Sequence, residues 1–306
     1  MARYIGRRLF QALITLLVLS VAVFLSVRLT GDPALFLLGP FGTEEDYQRL
    51  VHNLGLDKPL IEQYWLFISG IARGDFGRSY ISGQPVAAVF LSRLPATLQL
   101  AAAAFAFEVV VGVSLGVLAA VKRGSWIDRF GKTFALLGMA VPNFWVAIVL
   151  ILIFGATLHL LPTFGNTAGL RSLILPALVV GWSGSAGMLR LVRSGMLDVL
   201  DSEYVRFARM KGLSERVVIY KHALRNALIA PLTFGGLQLA GLLNGTVVAE
   251  VVFGWPGVGK LMLDGVKQRD FAIVQSTVLV TGFLFIVTAL VVDILYAYVN
   301  PRVRVR

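Results

Sequence analysis

The chain has 306 residues, of which 57% are apolar and 15% charged, with a mean hydropathy of +0.78. Soluble domains carry roughly 25% charged residues, so the composition excludes an ordinary soluble fold and makes the bilayer the natural solvent. The net charge of +11 does not point to nucleic acid, because the basic residues fall between apolar runs rather than on one patch; the absence of cysteine excludes disulfides and thiolate metal sites.

A membrane-crossing helix needs about 20 mostly apolar residues. Six runs meet or approach that length, at roughly 9–27, 96–121, 133–158, 173–191, 227–253 and 271–299. They predict an all-α integral membrane protein with about six transmembrane helices. The expected layout is a first helix over 1–29, an outer segment over 30–95, a five-span core over 96–300 and a tail over 301–306. The first run opens with Arg7-Arg8 in the manner of a twin-arginine signal. Its apolar stretch is longer than a signal core and no A-x-A site comes after it, so an uncleaved helix is expected. Pro142, Pro176 and Pro231 lie in or near spans, where neighbours can satisfy the freed carbonyls. Gly181, Gly184 and Gly187 would let the fourth span approach another helix closely.

Lysine and arginine set the orientation. With the N-terminus in the cytosol, the inner pieces hold 18 of the 28 basic residues, eight of them between Arg190 and Arg225. Both termini are then cytosolic.

In the outer segment, Thr43 is placed to cap a short helix ended by Gly55. Asp57 is placed to cap a second, with Leu60, Ile61, Tyr64, Trp65 and Ile68 as its apolar stripe and Gly70 as its stop. This segment is either a lid on the membrane domain or a docking surface for an external partner. Three acids, Glu108, Glu250 and Asp293, fall within or at the edges of spans. An ionised acid at mid-bilayer costs roughly 2.5–3.5 kcal/mol on insertion scales. Each therefore either lines a polar path or hydrogen-bonds between helices.

The inner loop, residues 194–225, is long enough to need a purpose. Asp201 or Ser202 can cap a helix with Glu203 in its first turn, Gly212 breaks it, and Ser214 starts the next, which runs through Asn226. The stretch from Glu203 to Lys211 mixes apolar and basic residues like an amphipathic helix lying across the cytosolic face. It would rest on lipid headgroups or dock into another protein. Gly254–Lys260 reads as G-x-x-x-x-G-K, but Leu261 comes next, where a P-loop needs Ser or Thr for Mg²⁺, so an outer turn is expected. His52, His159 and His222 are too scattered for a metal site, and no catalytic set appears.

The run EYVRFARMKGLSERVVIYKHALRNALIAP, Glu203 to Pro231, resembles the cytosolic loop of binding-protein-dependent ABC importer membrane subunits, closest to the dipeptide/oligopeptide/nickel permease group. Glu203, Ala208 and Gly212 match that motif's acidic, small and glycine positions, and His222, Arg225, Asn226 and Pro231 match the family pattern on its C-terminal side. Phe207 and Met210 depart from it, standing where Thr and Ala are expected. GDPA from Gly31, LGLDKPLIEQYW from Leu54, GDFGRSY from Gly74, LPATLQLA from Leu94, VPNFW from Val141, FGWPGVGKL from Phe253 and the C-terminal VVDILYAYVNPRVR extend the resemblance over nearly the whole chain.

The resemblance implies a type I ABC importer permease-like fold and a multi-pass place in a bacterial or archaeal cytoplasmic membrane. It implies alternating access, with a helix carrying Glu203, Tyr204, Ala208, Arg209, Lys211 and Gly212 as the coupling element. It also implies a second homologous permease subunit, one or two ATPase subunits holding ATP and Mg²⁺, and an external substrate-binding protein. No cofactor or metal is expected on this chain, and no nucleic-acid partner. Short peptides are the expected cargo, with a nickel complex, glutathione or another small solute as alternatives. A self-sufficient secondary transporter would predict an inverted repeat, and none is evident.

Overall fold

The computed structural model describes residues 2–38 and 42–299; within these, the side chains of residues 2–5, 30, 36, 243, 244, 293 and 295–299 lie outside the description. Every regular element among the described residues is a helix, apart from one isolated antiparallel bridge, Arg78 to Pro85. In chain order the helices are α1 (Ala2–Thr30), α2 (Pro33–Leu38), α3 (Glu44–Asn53), α4 (Leu60–Ala72), α5 (Val86–Val121), α6 (Trp126–Ala140) and α7 (Asn143–Leu150). A π-helical stretch (Ile151–Thr157) continues α7. Then come α8 (Leu170–Leu200), α9 (Glu203–Met210), α10 (Glu215–Val217), a second π stretch (Val218–Ala223) and α11 (Leu224–Ala227). The remainder are α12 (Ile229–Gly245), α13 (Val247–Val252), α14 (Val258–Gln268) and α15 (Phe271–Val299).

Four helices, α1, α5, α8 and α15, hold apolar stretches long enough to cross a membrane, and a bent pair brings the number to five. The sequence expectation of one continuous span over 133–158 needs correction: α6 and its successor in the chain meet at 113°. Pro142 is the cause. It lacks an N–H and drives Val141 into the extended region, at φ −91° and ψ 128°, so α6 stops and a new helix starts at Asn143. The run at 227–253 is likewise divided, with α12 as its main apolar piece. α5 begins ten residues ahead of its expected apolar start and carries Pro95 inside it.

The described residues divide into two compact units, one of residues 2–38, 42–96 and 256–290, the other of 97–255 and 291–299. In the first, α4 folds back on the C-terminal half of α1. Phe24 is buried against the rings of Tyr64 (5.3 Å) and Phe67 (5.8 Å), and Ser20 shares a 2.7 Å hydrogen bond with the Tyr64 hydroxyl. Arg28 lies 3.7 Å over the Phe24 ring and donates twice to Gln63 Oε1. The Thr43 cap forms as expected, as a capping box with Asp46, and that hydroxyl contact holds the Asp46 carboxyl below the usual carboxylate range. Asp57 does not cap α4; Pro59 takes that position, and Asp57 meets His52 Nδ1 at 3.0 Å instead. Further along the same unit, buried Asp270 receives hydrogen bonds from the Ser79 hydroxyl and the Ile273 N–H, fixing the start of α15.

α8 is the axis of the second unit. Of its apolar window, 67% is buried, and it packs on α6, α7, α11 and α12. Its crossing with α5 depends on missing Cβ atoms. A Cβ on Gly181 would stand 2.6 Å from the Ala104 carbonyl oxygen, and one on Gly112 would stand 2.6 Å from Met188 Cβ. The crossing thus brings backbones together where lipid offers no hydrophobic drive.

Candidate functional site

The loop that carries α9 is built outward from α8, which runs on past its apolar window to Leu200. Two residues, Asp201 and Ser202, turn the chain into α9. Ser202 takes the N-cap position, but its hydroxyl donates back to the Val199 carbonyl and accepts no N–H of α9. One face of α9 is seated: Val205 and Ala208 pack with Val218, against Val199 and Leu200. Ala208 therefore holds the helix down, and its small size sets how closely α9 approaches its bed. Gly212, at φ +76°, ends the helix in the left-handed conformation that glycine adopts without strain.

The other face of α9 is open. Tyr204, Phe207 and Met210, three residues apart, share it, with Phe207 58% and Met210 71% exposed. Leu213, Val217 and Tyr220 add further exposed apolar surface in the succeeding turns. Around this strip, Glu203 pairs with Arg206 at 3.0 Å and Arg209 with Glu215 at 2.8 Å. Lys211 is also exposed, at the C-cap. Asn226 ties the loop together by donating to the Tyr204 hydroxyl at 2.9 Å and to the His222 carbonyl at 3.0 Å. Six candidate residues thus divide by role: Ala208 and Gly212 shape the helix, while Glu203, Tyr204, Arg209 and Lys211 reach its surface.

The intramembrane acids are not brought together. Glu108, on α5, is fully buried; its carboxyl lies against Gly184 of α8, beside the side-chain amide of Gln238 of α12. Glu250, on α13, is also fully buried, but its Oε1 accepts from Thr97 at 2.7 Å and from Thr246 at 3.1 Å. The Asp293 side chain lies outside the described residues.

Sequence reasoning misses one acid among the inner basic residues. Asp128, in the first turn of α6, is 1% exposed. It accepts from Arg193 of α8 at 2.7 and 3.2 Å and from the Gly124 N–H at 3.0 Å, and it pairs with Lys132 at 3.0 Å. The one local signal is a lone acid three residues after Ser125, which caps α6. The Gly254–Lys260 run covers the turn after α13 and the first residues of α14, and Lys260 pairs with Asp264 at 2.8 Å. Among the described residues no cluster of His, Asp or Glu could hold a metal ion.

Comparison with known proteins gives consistent matches. Residues 112–305 match the family described as binding-protein-dependent transport system inner membrane component, and residues 1–101 match its N-terminal membrane-component family. The chain is 42% identical over 305 residues to the glutathione transport system permease protein GsiC of Escherichia coli strain K12, covering 99% of each chain. It has the same identity and coverage with GsiC of Shigella dysenteriae serotype 1. Two structures of the inward-facing MetNI methionine ABC transporter share the fold. A native crystal form has TM-score 0.55 at 17% identity, covering 69% of this chain and 94% of the other. A selenomethionine-soaked form has TM-score 0.56 at 14% identity, covering 69% and 96%.

Proposed function

Because the chain belongs to the inner membrane component family of binding-protein-dependent transport systems, and is thus an ABC importer permease subunit, we propose that it forms half of the path for short peptides, glutathione among them. The open strip of α9 carries this reading. A seated helix with Phe207 and Met210 turned outward, ringed by charges of both signs, is a surface for a protein groove rather than for headgroups alone. In this reading the ATPase subunit takes α9, hydrolyses ATP and moves the helix, and α8 passes that motion into the membrane. A second, homologous permease subunit completes the path, and an external binding protein delivers cargo. In this reading both termini face the cytosol, which the surplus of basic residues in the pieces then lying inside supports. The glutathione assignment of relatives 42% identical over the full length supports a small peptidic cargo.

The test is co-purification of the tagged chain, expressed with its neighbouring genes, in mild detergent. Wild type should bring down a second multi-span subunit and a nucleotide-binding subunit. The Phe207→Ala, Met210→Ala double variant should keep the former and lose the latter, since buried interface anchors are worth about 2 kcal/mol or more each. Retention of the nucleotide-binding subunit by the variant would rule out α9 as its seat. ATP-dependent uptake of glutathione and of dipeptides into proteoliposomes, with the external binding protein present, then decides the cargo.

A further inference from the structure

A second feature of the inner side lies away from α9. Between α6 and α8 runs a groove of about 620 Å³. Its floor is apolar, from Ala135, Leu136, Met139 and Leu189, and its rim is basic, from Lys132, Arg190 and Arg193. The charges do not balance. Asp128 is the carboxylate that meets this rim, and it is already taken by both Arg193 and Lys132. Arg190 is exposed, and its only side-chain contact among the described residues is a thioether, Met139 Sδ, at 3.2 Å. Three cations thus share one anion beside an oily floor.

A guanidinium without a carboxylate suits phosphate, whose oxygens match its fork of donors. The surroundings decide which phosphate. Trp126 (74% exposed) and Phe130 lie one turn apart at the charged end of α6, as aromatic residues do at headgroup depth. Farther along α6, Leu136, Leu137 and Met139 are all exposed. A soluble anion has no use for that apolar surface, whereas a phospholipid places its phosphate on the rim and its chain along the floor. The unbalanced positive charge selects an anionic lipid over a zwitterionic one.

We propose that the α6–α8 groove binds one anionic phospholipid, with its phosphate on Arg190 and Lys132 and an acyl chain along Leu136 and Met139. Placing that lipid in the cytosolic leaflet rests on the orientation proposed above; the chemistry of the groove does not.

The test uses the full chain with its co-purified partner subunits, stripped of lipid in detergent and supplied with phosphatidylglycerol, phosphatidylcholine or glycerol phosphate. Retained lipid is counted by native mass spectrometry, which requires no transport. Phosphatidylglycerol should be retained over phosphatidylcholine, and Arg190→Gln should lower its retention about fivefold, the worth of one basic residue near an anionic surface. Arg190→Lys, which keeps the charge but not the fork, should keep part of it, and glycerol phosphate should not compete. The chain has no cysteine, so a fluorophore on Leu136→Cys reports the floor alone, and phosphatidylglycerol spin-labelled in its chain should quench it more than labelled phosphatidylcholine does. Unchanged retention in Arg190→Gln, equal retention of both lipids, or full competition by glycerol phosphate would overturn the proposal. So would crosslinking of Leu136→Cys to the second permease subunit, which would make the groove a protein interface. Arg190-dependent retention combined with labelling of Leu136→Cys from the outside would uphold the site and overturn the orientation.

Discussion

The substitution Asp128→Asn keeps the side-chain volume and removes the charge that Arg193 and Lys132 face. Asp128 is 1% exposed, Arg193 20% and Lys132 56%. Removing one partner of a buried ion pair costs about 3–5 kcal/mol, and the water that reaches Arg193 places the expected loss near the lower end. Lys132, largely solvated, contributes within the surface range of about 1 kcal/mol or less. A loss of about 3 kcal/mol is expected, read as a shift in equilibrium unfolding by titration with SDS in mixed micelles, monitored by tryptophan fluorescence. The cycle with Arg193→Gln separates this pair from everything else the two residues do. The double variant should lose much less than the two single losses together, by about 1.5–3 kcal/mol, as residues in one ion-pair network do. Additivity within about 0.5 kcal/mol, or an Asp128→Asn variant as stable as wild type, would refute the view that this clasp joins α6 to α8.

Glu108→Gln should fold and support ATP-dependent uptake at the wild-type rate, because the amide keeps the volume and can still face Gln238; a folded variant that does not transport would assign the acid to the path. Thr97→Val removes a donor to buried Glu250 and should cost about 1–3 kcal/mol in the same SDS titration, while Thr97→Ser should stay close to wild type. Gly212→Ala meets no atom within 4 Å but must hold φ +76°, a strain of about 1–2 kcal/mol, so the amides of α9 should exchange hydrogen about tenfold faster. Gly181→Val should prevent the α5–α8 crossing and abolish accumulation of folded protein, whereas Gly241→Ala, with open space around it, should leave the yield unchanged.

The existence and rough places of the apolar helices were legible because hydropathy alone carries them, and the α9 region because Gly212 and the alternation around it are local signals. The features that escaped were matters of partnership. Pro142 was visible in the third run, but whether a proline bends a helix slightly or turns it by 113° depends on what packs beyond it. Asp57 looked like a cap by composition, yet Pro59 already pre-sets the entry to α4, which freed Asp57 for His52. Asp128 was hidden among basic residues because its main partner, Arg193, is 65 positions away. Glu108 and Glu250 look alike in sequence; two threonine hydroxyls, one of them 153 positions distant, meet the second, while the first faces Gln238, 130 positions away.

α8 is a single rod of 31 residues, about 45 Å long at 1.5 Å per residue. Its close contacts with α5 run from Gly181 to Val192, around its middle. Such a rod behaves as a see-saw. The arm toward α9 measures roughly 20 Å and the opposite arm roughly 25 Å. A tilt of about 10° around this fulcrum would swing the α9 end by about 3.5 Å and the far end by about 4 Å the other way, by the geometry of a straight helix. A push on α9 would therefore reach the far end of α8 reversed in direction and little changed in reach. The Asp128–Arg193 clasp ties α6 to the arm toward α9, so the bent helix pair would ride with it.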